Sequence, residues 1–197
     1  MVILLFIISY LFGSIPFAFL ITKWLKGVDI RAVGSRNPGA ANVITQVGKG
    51  AGALVVLLDF GKGFLPVFLA SSLGFPIWVS GISGILSVVG HCWPIYMNLD
   101  GGEGMMTAMG VFVGLTPIEF TYALGAAIIG GVLAKYFSLK AWFSSKINTG
   151  AVVGFVVLYF FLFHWRRSLM LIGIIIILTV ILILRQIQAS KTHFQDF

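Results

Sequence analysis

Apolar runs of about 20 residues, joined by short links that hold most of the charge, recur along this chain. They cover Val2 to Leu25, Ala51 to Leu73, Pro76 to Met97, Met105 to Leu115, Ile118 to Ala134, Thr149 to Phe163 and Ser168 to Leu184. In hydrocarbon every backbone N–H and C=O must be satisfied inside the protein, so runs of this kind fold as membrane-crossing helices. The pattern predicts an all-α, polytopic membrane protein of about seven transmembrane helices. The fourth run is short for a full crossing. The 197 residues leave no room for an added soluble domain, so residues 1–197 are expected to form a single integral membrane domain.

Composition agrees with that reading. The chain is 59% hydrophobic and only 10% charged, with a mean hydropathy of +1.05, against about 25% charged residues in ordinary soluble domains. The net charge of +7 does not point to nucleic acid, because the basic residues sit in the links rather than on a face shared with aromatics. It is a topology signal. With the N-terminus outside, Lys23, Lys26, Arg31, Arg36, Lys49, Lys135, Lys140, Lys146, Arg185 and Lys191 fall on the cytoplasmic side, and only Arg166 and Arg167 face out. The positive-inside rule therefore predicts N-out and C-in, with the glycine-rich loops in the cytosol. The first run lacks a basic leader and a small-residue cleavage pattern, so it is expected to remain as the first helix. The single Cys92 reads as a packed small hydrophobe.

Chemistry is confined to a few positions. Between the first two runs lies Gly34-Ser35-Arg36-Asn37-Pro38-Gly39-Ala40-Ala41-Asn42. Gly34 and Gly39 permit turns that aim N–H groups at an anion, Ser35, Asn37 and Asn42 add neutral partners, and Arg36 adds charge. A second loop, Asp100-Gly101-Gly102-Glu103-Gly104, precedes the fourth run and presents N–H groups at its start. The charges inside the spans are read as Asp59 and Lys62, three residues apart on one helical face and expected to pair. His91, in Gly90-His91-Cys92-Trp93-Pro94, is placed to hydrogen-bond a substrate, move a proton or orient the following loop. Neither a Ser-His-Asp set nor a metal-ligand spacing is present in the sequence, and no cofactor is implied. An enzyme built from these parts works by positioning and electrostatics on an activated substrate, for which an acyl phosphate qualifies.

These residues together resemble the bacterial acyl-phosphate:glycerol-3-phosphate acyltransferases. The resemblance runs from Gly13-Ser14-Ile15-Pro16 through Asp29-Ile30-Arg31, the Gly34 to Asn42 loop, Gly48-Lys49, Asp59 with Lys62-Gly63, Gly90-His91 with Pro94, the Gly101 to Gly104 loop with Thr107, and Tyr136-Phe137-Ser138-Leu139. It implies seven helices, active loops in the cytosol, and residence in the bacterial inner membrane. It also implies transfer of an acyl group from acyl phosphate to the 1-hydroxyl of glycerol 3-phosphate, giving lysophosphatidic acid and phosphate. By resemblance, Ser35, Asn37 and His91 are the expected catalytic residues. Gly34, Arg36, Gly39, Asn42, Lys62, Gly101, Gly102, Gly104 and Ser138 are the expected substrate contacts. The lipid bilayer is the expected surroundings, and no protein partner is specified. The chain departs from the family at several points: Arg36 replaces a glycine, Ala41 a threonine, and Asp100 and Glu103 two lysines. Those departures carry an alternative reading, a catalytically weakened member that binds a lipid or a partner protein in the membrane.

Overall fold

The structure, a computed structural model, describes residues 1–136 and 149–192, and its helices are α1 (Val2–Gly13), α2 (Phe17–Lys26), α3 (Ala40–Gln46), α4 (Lys49–Ser72), α5 (Ile77–Cys92), α6 (Met105–Leu115), α7 (Pro117–Tyr136), α8 (Thr149–His164) and α9 (Leu169–Thr192). Each of the seven apolar runs is helical over most of its described residues. Five stretches are long and apolar enough to cross a bilayer: Val2–Lys26, Lys49–Ser72, Ile77–Met97, Pro117–Tyr136 and Leu169–Ala189. Met105–Leu115 and Ala151–His164 are shorter.

The first apolar run is one stretch but two helices. Pro16 has no N–H to give and its ring excludes the helical path of the preceding chain, so α1 ends at Gly13 and α2 restarts at Phe17. The Ile15 carbonyl at the break accepts the Phe17 N–H at 3.1 Å and keeps a second lone pair for a side chain. α2 then stops at Gly27, which takes the left-handed conformation (φ 71°) that glycine adopts without strain, with Lys23 and Lys26 in the last turn facing the negative end of the helix dipole.

The chain divides into two compact units, Met1–Leu115 with Gly173–Phe197, and Thr116–Ile172. In the first unit the helices meet backbone to backbone. A Cβ at Gly13 would enter the Ser87 backbone, and one at Gly90 the Tyr10 carbonyl, which locks α1 onto α5. Gly63 lies on the Thr107 carbonyl and Gly110 on the Phe60 carbonyl, which locks α4 onto α6. Small residues at such crossings are what permits helices to associate where no hydrophobic effect drives them together. Two hydroxyls reinforce the frame: Ser87 Oγ donates to the Lys62 carbonyl at 2.6 Å, and the Tyr10 hydroxyl donates to the Trp93 carbonyl at 2.9 Å.

The second unit pairs α7 with α8, where Gly154 packs on Ala127 and Gly130 on Val153. At one end Tyr122 stacks on Phe161, with Trp165 against both rings. This unit corrects the sequence reading of the intramembrane charges. Glu119, in the first turn of α7, is fully buried and ion-paired with Arg167 Nε, so Asp59 and Lys62 are not the whole set. Glu119 lies so close to the start of its run that it reads as a flanking residue.

Candidate active site

The buried charges of the first unit converge below the glycine-rich loops. α4 brings Asp59 and Lys62 to one face, both 2% exposed, and Lys62 Nζ lies 2.9 Å from Asp59 Oδ1. The ammonium donates its hydrogen bond to the Ile15 carbonyl at 3.0 Å, the acceptor at the Pro16 break, and sits 5.5 Å from the Phe17 ring centre. Across from α4, α5 supplies His91, 7% exposed, with Nδ1 3.6 Å from Asp59 Oδ1. A buried ion pair of this kind is held by its partners, and removing one of them typically costs about 3–5 kcal/mol.

The Gly101–Gly102 segment lies directly on His91. The Gly102 N–H donates to the His91 carbonyl at 3.2 Å, and a Cβ on Gly102 would overlap His91 Nε2 and come 3.3 Å from the Pro38 carbonyl. A Cβ on Gly101 would strike the His91 carbonyl. Both glycines are therefore required by close approach. They bring the first loop, through Pro38, and the second loop onto the same imidazole. A cleft opens here, lined by the Ser14–Ala18 break, Pro38, Asp59, Lys62, His91 and the Asp100–Gly102 segment.

Arg185, near the end of α9, holds the second loop from the other side. Its Nε donates to the Gly102 carbonyl at 3.1 Å and its Nη2 to the Gly101 carbonyl at 2.5 Å, while the guanidinium lies 5.9 Å from the Trp93 ring centre. Asp100 is flanked by Arg31 at 3.3 Å and Arg185 at 3.9 Å. The acidic residue thus joins the segment just before the first loop to the last helix. Arg31 is anchored in turn by Asp29, with Nη2 2.8 Å from Oδ2, and the Asp29 carboxylate also accepts the Arg31 N–H at 2.9 Å. Hydrogen bonding to the Arg31 guanidinium holds the Asp29 carboxyl below its usual range and raises Arg31 above its own.

The sequence-expected residues fall into groups. His91, Lys62, Gly101 and Gly102 come together around the cleft. Asn42 does not present its side chain there. It is 3% exposed, its Oδ1 accepts the Ser35 N–H at 3.1 Å, and its Nδ2 donates to the carbonyls of Ile30 (3.1 Å), Val33 (3.0 Å) and Asn37 (3.2 Å). That amide is the internal brace of the first loop. Gly34, at φ 58°, lies under the Asn42 Oδ1, where no side chain fits. Arg36 has the same φ of 58°, the left-handed conformation in which a non-glycine residue is strained by about 1–2 kcal/mol. Ser35 and Arg36 are exposed, Asn37 is half-buried, and Gly39 precedes the first turn of α3. Gly104 (φ 82°) packs its backbone near the buried Cys92. Ser138 lies outside the described residues. Among the described residues no group of three or more His, Cys, Asp or Glu side chains is arranged to hold a metal ion.

Two site elements escaped the sequence reading: the Ile15 carbonyl, which had Pro16 as its signal, and Arg185, which showed only as one basic residue closing the last run.

Comparison with known proteins places these features in context. The sequence profile of the family described as Glycerol-3-phosphate acyltransferase matches residues 3–195. Glycerol-3-phosphate acyltransferase 5 of Dehalococcoides mccartyi is 38% identical over 133 residues, 68% of this chain and 57% of that protein. A glycerol-3-phosphate acyltransferase of Synechococcus is 42% identical over 131 residues, 66% of this chain and 63% of that protein. The match thus spans under two thirds of the length of these curated relatives. Among solved structures, PlsY (YgiH), an integral membrane glycerol 3-phosphate acyltransferase in its glycerol 3-phosphate form, superposes with a TM-score of 0.80 at 33% identity, covering 99% of this chain and 92% of that one. Its lysophosphatidic acid form superposes with a TM-score of 0.77 at 31% identity and the same coverage.

Proposed function

The chain belongs to the glycerol-3-phosphate acyltransferase family, and from that premise we propose that it transfers an acyl group from acyl phosphate to the 1-hydroxyl of glycerol 3-phosphate. The products are lysophosphatidic acid and inorganic phosphate. The observation that carries this reading is the cleft in which His91 and Lys62 lie beneath the Gly101–Gly102 loop, in a fold shared with an enzyme captured in a glycerol 3-phosphate form. The chain crosses the inner membrane seven times, N-out and C-in, as one integral membrane domain, so that the cleft takes its water-soluble substrate from the cytosol.

Chemically, the 1-hydroxyl oxygen attacks the acyl carbonyl carbon, its proton passes to His91 Nε2, and the bond from the acyl carbon to the phosphate oxygen breaks with the electron pair leaving on phosphate. The imidazolium returns the proton to the departing phosphate. Phosphate is a good leaving group, so one base of modest strength suffices. Ser35, Asn37 and the flanking N–H groups of the first loop supply neutral hydrogen bonds to the two phosphoryl groups, and Arg36 adds charge. Asp100 does not repel an incoming anion with its full charge, because Arg31 and Arg185 flank it.

The test is phosphate release by the purified protein given palmitoyl phosphate and glycerol 3-phosphate. Release that requires both substrates and falls in Ser35→Ala supports the reading. Absence of release together with absence of binding to either substrate overturns it. Absence of release in the native chain with its appearance in Glu103→Lys favours the weakened family member.

A further inference from the structure

The unit Thr116–Ile172 holds one carboxylate, Glu119, and Arg167 Nε already takes it. The neighbouring Arg166 is exposed, and among the described residues its side chain has neither an ion pair nor a hydrogen bond. The other described cation of the unit, Lys135, closes α7 about 24 Å along the helix from Glu119, at 1.5 Å per residue. One positive charge is therefore uncompensated at the turn between α8 and α9. Its surroundings are apolar: Trp165, Leu169 and Met170 are exposed beside it, Leu169 at 83%. Trp165 also meets Tyr122 edge-on, with ring centres 5.9 Å apart, and such aromatic pairs mark the depth of lipid headgroups on a membrane-crossing helix.

Water suits Arg166 but not Leu169 and Met170, and hydrocarbon suits those two but not Arg166. The boundary of a bilayer suits all three. A soluble anion would use the guanidinium and gain nothing from the apolar residues, whereas an amphiphile uses both. In a zwitterionic lipid the phosphate is offset by the lipid's own ammonium, so an uncompensated arginine selects an anionic headgroup.

We propose that the turn between α8 and α9 binds an anionic phospholipid, its headgroup phosphate on Arg166 and the exposed side of Arg167, its acyl chains along Leu169 and Met170. On the N-out reading this lipid belongs to the outer leaflet. The proposal does not depend on acyl transfer, because no step of that reaction uses this surface.

Local geometry separates a lipid role from a capping role. The Arg166 N–H donates to the Phe163 carbonyl at 3.1 Å and the Arg167 N–H to the Leu162 carbonyl at 3.0 Å, which closes α8 with Arg166 at φ 47°. Glycine holds that conformation with less strain, so Arg166→Gly keeps the turn and deletes the charge.

The test compares the native chain with Arg166→Gly in nanodiscs of phosphatidylcholine and of equal parts phosphatidylcholine and phosphatidylglycerol. Thermal unfolding gives the midpoint, and native mass spectrometry counts the phosphatidylglycerol retained. Phosphatidylglycerol is expected to raise the native midpoint. Arg166→Gly abolishes that rise and lowers retention about fivefold, while its midpoint in detergent is no lower than that of the native chain. Lys135→Gln keeps the rise. A rise of the same size in Arg166→Gly, or one that Lys135→Gln removes equally, overturns the proposal, since charge anywhere on the chain then accounts for it. An equal rise from inorganic phosphate in detergent also overturns it, because the turn then takes a free anion. Should glycine loosen the turn, Arg166→Asn supplies a second neutral form that tolerates the same conformation, and the same two readings decide.

Discussion

Arg185 Nε donates to the Gly102 carbonyl at 3.1 Å across 83 residues of sequence, so the last helix holds the loop that lies on His91. The guanidinium reaches two successive carbonyls, which a planar fork does and a single ammonium does not. Charged hydrogen bonds of this kind contribute about 1.5–3 kcal/mol each. Arg185→Ala is expected to lower acyl transfer by roughly 10- to 100-fold, with Arg185→Lys recovering little. Phosphate release by each variant checks this, and full activity in Arg185→Lys would show that charge alone is needed.

Asn42→Ala removes the brace of the first loop. One acceptor and the amide donors are lost, at about 1 kcal/mol per neutral hydrogen bond. Amide hydrogen exchange across residues 33–42 is expected to accelerate, while exchange in α5 stays slow. Asn42→Asp should do no better, since it sets a carboxylate against the carbonyls of Ile30, Val33 and Asn37. Unchanged exchange in both variants would count against the brace.

The Glu119–Arg167 pair is unequal in burial, and its two halves should respond unequally to mutation. Glu119 is fully buried, while the Arg167 side chain is 41% exposed. Arg167→Ala strands a buried carboxylate, an error worth about 3–5 kcal/mol, whereas Glu119→Gln leaves an arginine that water can reach. Thermal unfolding in detergent should show the larger drop for Arg167→Ala. Equal drops would mean that water reaches Glu119.

The Asp29–Arg31 pair sets an acid limit. Because the folded Asp29 carboxyl lies below its ordinary value of 3.8, its contribution to stability is complete above that value and is lost as pH falls through the lowered one. The difference in unfolding midpoint between the native chain and Asp29→Asn should be constant from about pH 7 to 5 and should shrink below about pH 4. A difference that already shrinks between pH 7 and 5 would point to another group.

The sequence carries the helices openly, because runs of apolar residues in lipid have one common solution. It also carries the glycines of the second loop, since Gly101 and Gly102 are the residues that close approach to His91 demands. Asn42 shows where such reading stops: an amide in a glycine-rich loop suggests a ligand contact, but its hydrogen bonds turn inward to Ser35, Ile30, Val33 and Asn37. Nothing local distinguishes the two orientations. Arg185 is hidden for a different reason, since its partners lie in a loop 83 residues away and only the folded bundle brings them together. Asp100 reads in the sequence only as a departure from an expected lysine, and becomes a bridge once Arg31 and Arg185 are placed beside it.

The glycine contacts among the helices also bear on how this protein can change over time. At Gly13, Gly63, Gly90 and Gly110 even alanine would have to enter the backbone of a neighbouring helix, where no flexible side chain can give way. At the mouth of the cleft Asp100 is less confined, its side chain being 62% exposed. Substitution therefore meets less steric resistance there than at the four crossings, where the helices are inherited as a set.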